Sequence, residues 1–228
     1  MALLAAQKGW TVKAVARSPE KYAACFAEYK NVHVVKGDAL DRASVCSLVQ
    51  GCDACVFGVQ AADGQSSFDV DCDALKMMAE ECAKAGCKLI AVSSMLTSPK
   101  RKWNIGRMFA NSPCLKKNMM DAKWAGEEAV RATPGLKYTI VRPGGLGNEP
   151  TGPNKNLTFG QFDAMSFSDM SGYVQKIDVA AVCVEAIANP ASDSVSIDVA
   201  GPKKGASGPL SLAGAFESMK KDSPAAWA

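Results

Sequence analysis

Apolar runs of strand length, rich in β-branched residues, recur along the chain at 11–17 (TVKAVAR), 32–36 (VHVVK), 54–59 (ACVFGV), 88–93 (KLIAVS), 138–142 (YTIVR) and 195–199 (VSIDV). Between them, stretches with helical spacing of apolar positions occupy 19–30, 42–49, 68–85, 119–132 and 179–188. This alternation predicts an α/β domain with a doubly wound, mostly parallel sheet covered by helices on both faces. Ser18, Asp41 and Asp178 are the expected N-caps, with Pro19 at a first helical position where its missing N–H costs nothing. Gly86, Pro134-Gly135 and Asn189-Pro190 are the expected stops. The opening MALLAAQKG reads as the last turns of a helix closed by Gly9, so the chain is expected to begin within a fold. The glycine- and proline-rich stretch 144–172 reads as a long loop beside the carboxyl edge of the sheet, and 210–220 as an amphipathic helix after a loose 202–208. The expected division is a domain over 1–200 and a tail over 201–228.

Composition narrows the classes. A chain of 228 residues, 48% hydrophobic and 21% charged, has enough apolar material for one core and is neither disordered nor low-complexity. The net charge of +3 is too mild to imply nucleic acid, and no apolar run reaches the ~20 residues needed to cross a bilayer, so a soluble protein without a transmembrane segment is expected. Nine cysteines spread through core segments fit reduced thiols, which favours a reducing compartment. An organellar matrix or plastid stroma is expected ahead of secretion, with the cytoplasm as the other option. His33 is the single histidine, which disfavours Ser-His-Asp chemistry, and no metal site is expected.

Taken in order, VAR-SPEK, VVKGD, the strand into Ser93-Ser94, the helix carrying Asp121-Ala122-Lys123 and the run IVRPGGL resemble the atypical short-chain dehydrogenase/reductase family, in its NmrA-like form. The resemblance spans about 1–199 and implies a Rossmann-like NAD(P)-binding fold. In that family a first strand and a glycine-rich turn precede the first helix and cradle the pyrophosphate. Here that strand and turn are missing before residue 11, where Gly9 is the one glycine. Either such a segment lies upstream, or the sheet is re-paired or completed by a partner's strand.

The same resemblance implies the cofactor positions. Arg17 would take an adenosine 2′-phosphate, with Ser18 assisting, which makes NADP the implied cofactor; the other reading is an exposed strand-end arginine beside a helix cap. Asp38 would meet the adenine amino group, or else cap the next turn. Gly58 and Val59 would lie against the cofactor ribose, with a plain strand glycine as the alternative. Pro143 and Gly144 belong to the turn over the nicotinamide, and Ser93 and Ser94 match the serine that binds a substrate carbonyl. Lys123 matches the family lysine, with a solvated helix lysine as the alternative. The tyrosine four residues earlier is replaced by Met119, which has no proton to give.

Between residues 100 and 123 stand Lys100, Arg101, Lys102, Arg107, Lys116, Lys117 and Lys123 against the single anion Asp121, interleaved with Trp103, Ile105, Met108 and Phe109. An anionic ligand or acidic protein surface fits this segment, as does a solvated basic loop with its aromatics folded under. The pairs Cys52/Cys55 and Cys82/Cys87 have neither the helix N-terminus nor the histidine that redox or zinc chemistry needs, and read as core. The expected function is a catalytically degenerate Rossmann protein, a structural or accessory subunit that meets other protein subunits through 100–117 and the tail after Gly201. The alternative is an NADPH-dependent oxidoreductase with its phosphate loop upstream, in which Ser94 and Lys123 are catalytic. A third class is a redox sensor signalling NADPH occupancy through the 144–172 loop. No nucleic-acid partner is expected.

Overall fold

The computed structural model describes residues 1–62, 64–112, 117–148, 157–165, 172–201 and 211–227. In chain order the elements are α1 (Ala2–Gln7), β1 (Val12–Ala16), β2 (Val32–Lys36), α2 (Arg42–Val49), β3 (Ala54–Phe57), α3 (Leu75–Ala85), β4 (Lys88–Val92), α4 (Ile105–Ala110), α5 (Met119–Ala132), β5 (Tyr138–Pro143), β6 (Leu146–Gly147), β7 (Thr158–Gly160), β8 (Val174–Gln175), α6 (Lys176–Ala188), β9 (Val195–Ala200), α7 (Leu212–Glu217) and α8 (Pro224–Trp227). The α/β class and all six expected strands hold.

One expectation changes: the strands do not form one sheet. A five-stranded sheet runs β3-β4-β5-β9-β7, parallel except for β7, and β1-β2 form a separate parallel pair. In a doubly wound sheet of order 3-2-1-4-5-6, the break between β1 and β3 falls where strand 1 belongs. Among the described residues β1 and β3 each keep one edge without a ladder. Among those residues the sheet is not re-paired across the break. A third small sheet pairs β6 with β8.

Alternation along the central strands divides the core. Leu89, Ala91 and Ile140 face α3 residues Leu75, Met78, Ala79 and Cys82, together with Val45 and Val49 of α2. Ile90, Val141, Val195, Ile197 and Val199 face Val182, Cys183 and Ala186 of α6 and Phe216 of α7. All six residues of β5 and all six of β9 are buried. Helix α3 closes on Gly86 at φ +68, whose N–H and that of Cys87 return to the carbonyls of Ala83 and Cys82. That closure is what brings Cys82 and Cys87 together.

Three local expectations are corrected. Residues 19–30 form two 3₁₀ turns, Pro19–Lys21 and Ala23–Phe26, in place of a helix. Ser18 makes no side-chain cap and neither turn buries a residue, so no packed face supports a longer helix. The first part of 68–85 is a π-helix, Phe68–Ala74, that runs into α3. Helix α6 starts at Lys176, with Gln175 as its N-cap and Asp178 at the third position of a capping box. Within 144–172 the chain forms the short strands β6 and β7; 149–156 and 166–171 lie outside the described residues, as do 202–210. The described tail is part of the core: Ala215 and Phe216 join the α6 side and Trp227 is buried. The expected docking helix therefore turns its apolar face inward.

Candidate functional site

Parallel register sets Ala16 of β1 beside Lys36 of β2, so the chain leaves the two strands at adjacent positions through Arg17 and through Gly37-Asp38. A Cβ on Gly37 would come within 2.5 Å of Leu48 Cδ1 and 2.7 Å of Val15 Cγ1, so a side chain here would have to displace both. The two exits form a cleft of about 430 Å³ lined by Arg17, Lys36, Gly37, Asp38, Asp41 and Ser44. Its acidic residues hold its shape. Asp38 Oδ1 accepts from the Leu40 N–H at 2.9 Å, Ser44 Oγ accepts from the Asp38 N–H at 3.0 Å, and Asp41 caps α2 through the Ala43 N–H. Arg17 and Lys36 are exposed, and neither meets a carboxylate among the described residues. Two unpaired cations converging on one cleft suit a dianion such as a ribose phosphate. Arg17 and Asp38 are thus brought together as the sequence implied, Ser18 lies beside them half-buried, and Lys36 and Ser44 are additions that the sequence reading missed. Lys36 immediately precedes the Gly37-Asp38 pair, which was the signal available.

The second cluster lies at the carboxyl ends of β3, β4 and β5. Alternation splits the serine pair. Ser93 is buried and donates to Glu127 Oε1 at 2.6 Å, whereas Ser94 is half-exposed and its hydroxyl meets no described partner. Lys123 is not a solvated lysine: its ammonium lies 2.7 Å from Asp71 Oδ1, with the two side chains 10% and 2% exposed. The π-helix and α5 are pressed together at Gly126, where a Cβ would sit 2.1 Å from the Asp71 carbonyl oxygen. One turn before Lys123, the sulfur of Met119 accepts from Gln60 Nε2 at 3.3 Å. Gly58 and Val59 are exposed just past β3. Pro143 is buried at the end of β5, and the Gly144 N–H donates to the Val199 carbonyl at 2.8 Å.

Beneath this cluster is a polar core that the sequence did not reveal. Arg142, on a strand buried throughout, is fully enclosed and pairs with Glu127 at 3.2 Å, Asp163 at 3.0 Å and Asp198 at 2.7 Å, while Thr97 Oγ1 accepts at 2.8 Å. Asp163 also takes the N–H groups of Leu96 and Ser98, and its own N–H donates to Asp198 Oδ2. Leu96, Phe162 and Asp163 all have positive φ, a strained conformation that these bonds hold in place. Glu127 reaches Arg131 at 2.7 Å, and Trp227 lies against the guanidinium groups of Arg131 at 4.1 Å and Arg142 at 4.8 Å. Burial pushes the Glu127 carboxyl up, but Arg142 and Arg131 outweigh it and hold it below its ordinary value. For Asp198 burial prevails, with Asp163 and Glu127 adding to it against Arg142, and its pKa rises to about 6.

The cleft and the sheet define the class. The model of the NAD(P)H-binding family matches residues 1–190, and the chain belongs to that family. It is 28% identical over 202 residues to an uncharacterized chloroplastic protein of Arabidopsis thaliana, covering 84% of this chain and 68% of that protein. A second chloroplastic protein of the same plant, named for a high chlorophyll fluorescence phenotype, is 37% identical over 84 residues, 37% of this chain and 13% of that protein. Among solved structures, an oxidoreductase from Lactococcus lactis superposes with a TM-score of 0.74 at 22% identity, over 94% of this chain and 87% of that one. The likeness shows a Rossmann-like fold with a mostly parallel sheet.

For a dinucleotide, Arg17 and Lys36 carry the charge that a 2′-phosphate would meet, whereas Asp38 gives Oδ1 to the Leu40 N–H, as the turn-capping alternative expects. The described residues contain no glycine-rich turn between a strand and a helix at the sheet break, so no diphosphate cradle is assigned to them.

Proposed function

We propose that this chain is a catalytically degenerate, NAD(P)-binding-type Rossmann protein serving as a structural or accessory subunit of a larger protein assembly. The observation that carries the reading is the fate of the reducing groups. Lys123 is held by Asp71, Ser93 by Glu127, and Met119 stands where an acid would be, so no described group is placed to protonate a substrate oxygen. The cleft at Arg17 and Lys36 retains affinity for a nucleotide phosphate, with NADP preferred over NAD. Chloroplastic relatives support a plastid location. Among the described residues β1 and β3 each keep an edge without a ladder, which supports the addition of a partner subunit's strand.

The second reading, an NADPH-dependent oxidoreductase, is favoured by Ser94, whose hydroxyl has no partner among the described residues. In it a strand and phosphate loop upstream fill the break, and NADPH supplies hydride to an acceptor that needs no tyrosine. NADPH oxidation by the full-length protein with quinone or flavin acceptors separates the two. The accessory reading expects no turnover above the blank, whereas a turnover abolished in Lys123→Ala would overturn it.

A further inference from the structure

Helix α4 is turned inside out. Its inward face carries Arg107, buried and paired with Asp121 at 2.5 Å, and Ala110. Its outward face carries Ile105, Met108 and Phe109, exposed by 84%, 52% and 61%, and Trp103 just before it is exposed by 78%. The nearby Arg101 is also drawn inward, donating to the carbonyls of Asp163 and Met165. Lys100, Lys102 and Lys117 remain outside with no carboxylate partner among the described residues, and Lys102 Nζ lies 5.6 Å from the centre of the Trp103 ring. The aromatics are therefore not folded under the basic segment. The chain uses its arginines to hold large apolar side chains out in water.

We propose that this face docks on an anionic lipid surface, with Trp103, Ile105, Met108 and Phe109 entering the boundary between headgroups and acyl chains and the lysines pairing with lipid phosphates. Side chains exposed by about four-fifths stand clear of the surface, so an occupant has to surround them, which a fluid interface does without matching a shape. The flanking cations are lysines, which are depleted at protein interfaces, while the arginines that such interfaces favour face inward here. No described helix is long and apolar enough to span a membrane, so this contact is peripheral. The inference goes beyond the accessory reading and stands whether or not the cleft at Arg17 and Lys36 holds a nucleotide.

Flotation of the full-length protein with vesicles tests it, comparing phosphatidylcholine alone with phosphatidylcholine containing phosphatidylglycerol. Binding is expected to the anionic vesicles only, weakening as salt is raised. The double variant Trp103→Ser/Phe109→Ser is expected to lose it, and Lys100→Glu/Lys102→Glu to weaken it by about tenfold or more. Trp103→Phe is expected to float while losing the blue shift of tryptophan emission, which confirms the point of contact. Failure of the wild type to float, or unchanged flotation of the Ser variant with its circular dichroism intact, overturns the proposal. Self-association that requires Trp103 without vesicle binding also overturns it, in favour of a second copy of the chain.

Discussion

Two regions of this molecule use the same side-chain chemistry to opposite ends. At the carboxyl ends of β5 and β9, Arg142 is enclosed by Glu127, Asp163 and Asp198, and each of its three guanidinium nitrogens donates to a side chain of the protein itself. At the ends of β1 and β2, Arg17 and Lys36 share a cleft with Asp38 and Asp41, yet those carboxylates cap backbone N–H groups and leave the cations unpaired. Burial decides the difference. A buried guanidinium has to be fully paired within the protein, whereas an exposed one can wait for an anion at little cost. Residue type alone therefore separates neither a structural arginine from a binding one nor a catalytic lysine from a paired one, as Lys123 with Asp71 also shows.

The largest expected effect comes from the buried side. Arg142→Met leaves three carboxylates enclosed without their cation and should lower stability by about 3–5 kcal/mol, read from the midpoint of urea unfolding. A loss below about 1 kcal/mol would mean that water reaches the cluster. Gly126→Ala comes next, because a methyl cannot occupy a site 2.1 Å from the Asp71 carbonyl oxygen. Pushing the π-helix from α5 should cost about 1–3 kcal/mol and open the Lys123–Asp71 pair, seen as a rise in acylation of Lys123 by an amine-reactive reagent.

Acidity sharpens the contrast. The folded pKa of Asp198, about 6, lies above the unfolded value near 4, so the stability carried by its protonated form is fully present below pH ~4 and is lost as pH rises towards 6. Asp198→Asn is neutral at every pH. The stability of wild type minus that of the variant should therefore fall by on the order of 2 kcal/mol between pH 4 and 6.5, and a flat difference would show that Asp198 is ionised throughout. The smallest change in stability is expected at the open cleft, where Arg17→Ala/Lys36→Ala should stay within about 0.5 kcal/mol of wild type in the same urea assay.

Much of the fold was legible in the sequence because it depends on periodicity. The central strands alternate so regularly that Leu89 and Ile90, or Ile140 and Val141, fall on opposite core faces with no ambiguity. The expected helix at 19–30 failed because its caps and spacing had no core to pack against, a tertiary fact that no local pattern carries. Arg17 and Asp38 were legible because each directly follows a strand end. Glu127, Asp163 and Asp198 were not, since their common partner Arg142 stands 15, 21 and 56 residues away from them in the chain. Asp71 was hidden too, because it reaches Lys123 only through the wider turn of a π-helix against Gly126.

The central claim is that Arg17 and Lys36 are kept free to receive a ribose phosphate. It is tested most directly by calorimetric titration of the protein with 2′,5′-ADP against 5′-ADP, ligands that need only the adenosine half of the cleft. Tighter binding of 2′,5′-ADP by about tenfold or more, abolished in Arg17→Ala/Lys36→Ala, is the predicted result. Equal affinity for the two nucleotides, or a preference that survives in the double variant, would contradict it.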